Sequence, residues 1–325
     1  MGTDLATRAE LVKLARALGT STDRVAFAAV LPHEDIRRVR ERVVATLYDE
    51  HRAAFQRVAA ITRVLPTPVN VRIALRAFPP LLAARVAGEM PPERAAQLAD
   101  RMPVAYLAEA CVHLDPRRAA PLVQRIRADR VLDVVTELID RGEYITLGRL
   151  LDAATEPVIH DVAMTVSTEA LLRIGFYAES GEQLTRAVAL LPPARLRDVV
   201  HDALTGSREL ASAGLALIGR LTDDDLRGRL AEHAAKVDEA SLTALLHTAV
   251  DDDAVPALLT AVAAMTDDAK HHVLRLPALT EPDMISDLVL AVEKHDLWHT
   301  MTALTGHMPP EVRTRFQAAC RPRPD

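Results

Sequence analysis

Between Pro79 and Leu138 turn residues fall on a twelve-residue beat: Pro79-Pro80, Pro91-Pro92, Pro103 and Asp115-Pro116, then a proline-free unit starting at Arg127. When these units are superimposed, the apolar positions form columns. The fifth column reads Ala83, Ala95, Leu107, Ala119, Val131, and the eighth reads Val86, Leu98, Ala110, Leu122, Val134. The ninth reads Ala87, Ala99, Cys111, Val123, Val135, and the twelfth Met90, Met102, Leu114, Ile126, Leu138. Positions five, eight, nine and twelve form the i, i+3, i+4, i+7 stripe of one helix face. Each unit is therefore a helix of two to three turns, ended where the next proline cannot continue it. A helix that short has to bury its stripe against its neighbours, and a series of them predicts an all-α solenoid.

Composition agrees with this. Of 325 residues 49% are hydrophobic but only 3% aromatic, so the core is built from Ala, Leu and Val. With 12 Gly against 20 Pro, the punctuation suits frequent helix ends more than flexible linkers. The net charge of −6 conceals a polarity along the chain. Residues 1–150 hold 23 Lys+Arg against 18 Asp+Glu, while residues 151–325 hold 16 against 27. The halves thus offer opposite charge to partners, or to each other in a head-to-tail dimer. The start MGTDLATRAE has neither the basic nor the apolar part of a secretory signal. No apolar run reaches the roughly 20 residues that span a bilayer. A soluble, cytoplasmic protein without membrane insertion is expected. Cys111 occupies a core column and reads as a small buried hydrophobe, and Cys320 as a spare thiol near the tail.

Four stretches follow from the pattern. Residues 1–77 read as an N-terminal helical cap, 78–153 as the regular repeats, 154–320 as an irregular continuation, and 321–325 as a frayed tail. Within the cap, Leu5, Leu11, Leu14, Ala15 and Leu18 mark an amphipathic helix ended by Gly19. The segment Leu11 to Pro32 has a helix-turn-helix rhythm, but its reading helix would offer only Thr22, Asp23 and Arg24 before turning apolar. His33 to Val64 predicts one long helix with a basic outer face, carrying Arg37, Arg38, Arg40, Arg42, Arg52, Arg57 and Arg63. Farther on, Ser180 to Gln183 forms a capping box, and Pro192-Pro193 restarts the beat. The openings at Leu221, Met265 and Met308 recur at 44 and 43 residues, pairing an apolar residue with first-turn acids or prolines.

The runs MPPERAAQLADRM (Met90 to Met102) and LDPRRAAPLVQRI (Leu114 to Ile126) resemble the cytosolic N-terminal domain of MgtE-type magnesium transporters. The resemblance covers about fifty residues, with echoes at Leu191 to Ala203 and Met308 to Cys320. It implies short helices stacked into a right-handed superhelix, an α-α superhelix. Transport is not implied, and no metal residue is carried over, since the family's acidic sites involve parts this chain lacks.

No stretch carries a recognisable catalytic pattern: there is no Gly-rich phosphate loop, no G-x-S-x-G and no Cys/His pairing. His295 and His299 are the weak metal candidates, because i, i+4 spacing on a helix places two imidazoles on one face. His271, His272 or His307 would supply a third ligand, while the plainer reading makes all of them helix-end residues with Trp298 as a packing anchor. Asp223 to Asp225 and Asp251 to Asp253 precede helices and suit their positive ends. His160-Asp161 and His201-Asp202 are sequence neighbours that point to different sides of a helix, so they are not dyads. The expected function is a non-enzymatic scaffold or adaptor that binds a protein partner or itself, with no cofactor. Two alternatives stand beside it. One is carriage of an apolar small molecule near Phe78, Tyr106, Phe176 and Tyr177; the other is DNA binding through the N-terminal helices.

Overall fold

A computed structural model describes residues 4–319. Cys320 and the tail 321–325 lie outside the described residues. Within them the chain is all-helical, with 23 α-helices, three short 3-10 segments and no strand. The backbone divides into two compact units. The N-terminal unit comprises residues 9–170 and 177–183; the C-terminal unit comprises the described part of 1–8, 171–176 and 184–325.

The chain opens with α1 (Leu5–Ala17), α2 (Thr22–Val25), α3 (His33–Asp49), α4 (Arg52–Val64) and α5 (Thr67–Ala77). The repeat follows as α6 (Pro80–Ala87), α7 (Pro92–Ala99), α8 (Val104–Val112), α9 (Pro116–Val123) and α10 (Ala128–Asp140). Pro79, Pro91 and Pro103 adopt extended backbone at the N-cap, and Pro80 and Pro92 take the first helical position, where a missing N–H costs nothing. Asp115 caps α9 by accepting from Arg117 N at 3.1 Å. The unit continues with α11 (Tyr144–Leu150) and α12 (Glu156–Thr165). Each helix packs on the one two places along: α4 on α6, then α8, α10 and α12 in turn, and α5 on α7, α9 and α11. Val86, Leu98 and Leu122 from the eighth column are buried, and Val134 is half-buried. In α8 full burial moves to Ala108, between the columns.

Helix α13 (Thr168–Phe176) and α14 (Gly181–Ala189) come next, the latter opened by Gln183 N donating to Ser180 Oγ at 3.2 Å. The C-terminal unit then runs through α15 (Pro193–Thr205), α16 (Arg208–Arg220), α17 (Asp224–Ala234), α18 (Glu239–Asp251) and α19 (Val255–Ala263). It ends with α20 (Asp267–Val273), α21 (Pro282–Lys294), α22 (Trp298–Thr305) and α23 (Pro310–Ala319). The odd-numbered helices from α15 to α23 again pack two places along, and α16 lies on both α18 and α19. Two of these approaches are close: a Cβ on Gly219 of α16 would meet Ala257 Cβ at 2.7 Å, and one on Gly228 of α17 would run into the Ala264 carbonyl. The core passes from Ala231 through Val255, Leu288 and Val292 to Leu304 and Phe316.

Two expectations are corrected. The helix predicted over 33–64 is two helices, parted at Glu50 and His51, with His51 at φ −113° and ψ 6°. Tyr48 and Phe55 pack across the bend with ring centroids 5.8 Å apart, which holds the chain in its new direction. The predicted amphipathic α1 is instead enclosed nearly all round. Its Thr7, Glu10 and Lys13 are buried beside the leucines, while Leu18 beyond its end is exposed.

A longer motif underlies the recurrence seen in sequence. A 13-residue helix appears at Leu5–Ala17, Ala128–Asp140, Glu239–Asp251 and Pro282–Lys294. Two residues past each end the backbone is left-handed, at Gly19 (φ 63°), Gly142 (71°), Asp253 (55°) and Asp296 (51°). The next amide donates back to the fifth residue before it: Thr20 to Ala15, Glu143 to Leu138, Ala254 to Ala249, Leu297 to Val292, all at 2.7–2.9 Å. These bonds satisfy carbonyls that the helix end leaves open. A further helix begins 28 residues after each start, at His33, Glu156, Asp267 and Pro310. A Cβ at position 142 meets nothing within 4 Å, so substitution there reports the backbone alone. Gly142→Ala is expected to lower stability in urea unfolding by about 1–2 kcal/mol. Gly142→Asn should lose much less, because Asn tolerates this conformation. Equal losses for Ala and Asn would contradict the left-handed cap.

Candidate functional site

The most unusual chemistry of the N-terminal unit is a buried set of charges around Glu179. Helix α1 supplies Glu10 and Lys13 on adjacent turns of one side, and Lys13 Nζ donates to Glu10 Oε1 at 2.8 Å. Helix α3 supplies Arg40, whose Nε donates to Glu10 Oε2 at 3.0 Å and whose Nη2 donates to Glu179 Oε2 at 2.8 Å. Arg37, one turn earlier, donates to the Glu179 carbonyl at 2.9 Å. Lys13 Nζ lies 3.7 Å from Glu179 Oε2, and Arg149 Nε from α11 lies 3.7 Å from Glu179 Oε1. That last spacing is an ion pair but not a hydrogen bond, and both atoms are buried without a hydrogen-bond partner. Two carboxylates therefore face four cations.

Burial opposes the charge of Glu179, yet Lys13, Arg40, Arg37 and Arg149 outweigh it and hold the carboxyl below its ordinary range. Burial pulls the Lys13 ammonium down against the attraction of Glu179 and Glu10. Burial, then Arg40, also lowers Arg149. A carboxylate fixed in its ionised form by guanidinium groups is a poor proton donor, and arginine does not exchange protons near neutrality. The cluster thus acts as an electrostatic lock that ties α1, α3 and α11 to the 177–183 segment.

A second knot joins α3 to the repeat. Tyr48 Oη donates to Glu89 Oε1 at 2.8 Å, Gln56 Nε2 donates to Glu89 Oε2 at 2.9 Å, and Arg52 and Arg118 pair with the same carboxylate. The Arg118 guanidinium lies 4.2 Å from the Tyr48 ring centroid, and that of Arg85 5.1 Å. Gly88 leaves little room here, since a Cβ would stand 3.0 Å from Tyr48 Oη and 3.2 Å from Arg118 Cδ, so that these side chains would have to give way. Burial, then the Glu89 bond, raises the Tyr48 phenol.

The histidines fall differently from the sequence expectation. The helix predicted through His295 and His299 is interrupted: His295 caps α21, Asp296 is left-handed, and α22 starts at Trp298. The two imidazoles therefore do not share a helix face. His295 Nε2 lies 2.8 Å from Asp253 Oδ1, and His299 is exposed, as is Trp298. His271 and His307 meet edge to face at 4.9 Å, with His307 Nε2 3.7 Å from Asp267 Oδ1; His272 is exposed. Among the described residues no group of three or more His, Cys, Asp or Glu is arranged to hold a metal.

Of the acidic clusters only Asp223 to Asp225 opens a helix as expected; Asp251 instead ends α18 and Asp252 is its C-cap, so that cluster stands at a negative helix end and is held by ion pairs. Asp223 accepts from Leu226 N at 2.9 Å, and Asp252 accepts from Ser212 Oγ beside Arg208 and Arg8. Asp253 receives Lys294 as well as His295. Cys111 is half-buried, and burial pushes its thiol up to about 11, which removes thiolate reactivity. Of the aromatics considered for an apolar ligand, Tyr106 donates to the Phe78 carbonyl at 3.0 Å and is spent on packing. In the helix-turn-helix segment the reading helix is a single α-turn, Thr22–Val25, followed by a 3-10 stretch, Ala26–Val30. No family model, curated protein or solved structure matches the chain. No helix of the described residues is long and apolar enough to cross a membrane.

The Glu179 cluster left little trace in sequence, because its members are spread from position 10 to 179. The one local sign is Glu10 and Lys13 at i, i+3 in a helix whose leucines already cover more than one face. Glu179→Gln is expected to cost about 3–5 kcal/mol at pH 7, since the buried Lys13 and Arg40, with the half-buried Arg37 and Arg149, then face one carboxylate. The native carboxyl titrates below 4.5, its ordinary value, so its contribution is complete above that pH and fades as pH falls through the lowered value. Unfolding measured across pH should show the wild-type advantage constant near neutrality and shrinking in acid. A constant difference at every pH would contradict the lock.

Proposed function

We propose that this chain is a non-enzymatic helical-repeat scaffold, with each unit a superhelical stack of short helices whose outer faces bind protein. The two-places-along packing of α4 to α12 and of α15 to α23 supports a solenoid reading of both units, as does the twelve-residue beat. The right-handed sense of that stack, and the likeness to the MgtE cytosolic domain, belong to this same proposal as architecture without transport.

One observation carries the binding role. Fifteen large hydrophobic residues are exposed among the described residues, and twelve of them lie between Leu18 and Leu81. Val30, Val64 and Phe27 are 87%, 84% and 78% exposed. Single exposed apolar residues need no explanation, but such concentration in one stretch is the mark of an interaction surface. The partner is protein in this reading because six of the exposed residues, Ile61, Val64, Val69, Ile73, Leu75 and Leu81, stand on α4, α5 and α6, the first helices of a stack whose faces elsewhere are covered by other helices.

Chemical crosslinking in the native host, followed by purification of the full chain, tests the reading. The expected outcome is a protein partner, either another chain or a second copy, retained in fixed ratio and lost in Ile61→Asp/Val64→Asp. A chain that comes through alone, with the variant indistinguishable from wild type, would overturn it.

A further inference from the structure

From His51 to Gly88 the chain has six arginines and not one acidic residue. Within this stretch α4 and α5 are the first helices of the two alternating stacks, with α6 and α7 packed on them. Their inward faces are Ala59 and Thr62 on α4, and Asn70 and Ala74 on α5. The opposite faces are exposed. On α4 these are Arg57, Ile61 and Val64, at i, i+4, i+7; on α5 they are Val69, Arg72, Ile73 and Arg76, at i, i+3, i+4, i+7. Arg57, Arg63, Arg72 and Arg76 form no ion pair with any described residue. Each of these two faces thus carries aliphatic residues of the kind covered elsewhere in the stack by another helix, studded with unneutralised positive charge.

A complementary surface exists on the same chain. In the described part of the C-terminal unit the exposed large hydrophobics are Leu290 and Trp298 alone. Leu290, 63% exposed, stands on α21 in line with Asp283 and Asp287 at i, i+4, i+7, with Glu293 one turn on. None of these three acids pairs with a described cation, and Trp298 opens the next helix beside the exposed Asp296. A leucine among acids on one helix matches isoleucine and valine among arginines on two others.

We infer that the α4–α5 face docks a second copy of this chain through the acidic face of α21, a heterologous contact between copies. This rests on the scaffold reading and names its partner. Charge decides the pairing. An isologous contact would set the arginines of one copy against the same arginines of the next, whereas the heterologous contact neutralises both faces and leaves the aliphatic residues to bury each other. Such a contact weakens as salt screens it.

Sedimentation velocity of the full chain from about 1 to about 100 μM, at about 50 mM and about 500 mM salt, reads the contact directly. The expected result is species larger than the monomer at low salt, with the dissociation constant rising at least roughly tenfold at high salt. Arg57→Glu/Arg72→Glu/Arg76→Glu should sediment as a monomer, and so should Asp283→Lys/Asp287→Lys. Mixing the two should restore association, because the reversed faces again complement; restoration also shows that both variants are folded. Wild type monomeric throughout would overturn the inference, as would association untouched by Asp283→Lys/Asp287→Lys. A monomeric wild type that pellets with vesicles of about 30% phosphatidylserine but not with phosphatidylcholine alone would assign the arginine face to lipid instead. Retention of a different protein in the crosslinking test would leave the scaffold reading standing while self-docking fails.

Discussion

A helix of eight residues does not hold itself together in water, because fixing its first turn costs more than its few hydrogen bonds return. Helices α6, α7 and α9 are that short, and the rest of the fold is a response to it. Each draws its stability from the helices two places away, through the one apolar stripe it owns. Small side chains make this workable. Ala95, Ala96, Ala99, Ala108 and Ala119 are buried where larger residues would hold the axes apart. In the C-terminal unit, Gly219 and Gly228 take the same logic to its limit at the contacts with Ala257 and Ala264.

Polar anchoring complements this apolar packing in the N-terminal unit. The helices α1 and α3 precede the twelve-residue beat and are fixed by charge, α3 through Arg40 to Glu10 and Glu179 and through Tyr48 to Glu89. Buried ion pairs of this kind add less net stability than their Coulomb energy suggests, but they tolerate only one geometry. They therefore choose where α3 lies on the repeat more than they add to how tightly it is held.

How far the sequence revealed this follows from the range of each interaction. Local signals were legible: Pro80 and Pro92 start helices, Asp115 and Ser180 cap them, and the columns through Val86, Leu98 and Leu122 face inward. The bend at His51 was not, since it depends on Tyr48 finding Glu89 and on Phe55 folding back. The break at Asp296 escaped for a different reason. Left-handed backbone is cheapest at glycine, and two of the four equivalent caps use aspartate instead, which disguised the helix end between His295 and His299. The Glu179 cluster was the least legible, because four of its cations come from three helices and no spacing rule links them. The charge polarity was readable from the start, but the structure alone shows that Arg57, Arg72 and Arg76 share their side with Ile61, Val64 and Ile73.

Native-state hydrogen exchange on Leu98→Ala tests the dependence of each helix on its neighbours most directly. Leu98 is buried on α7, which packs between α5 and α9, and its truncation should cost about 2–5 kcal/mol. The account expects protection to fall together in α5, α7 and α9. A loss confined to α7, with α5 and α9 exchanging as in the wild type, would mean that these helices stand by themselves, and would contradict it.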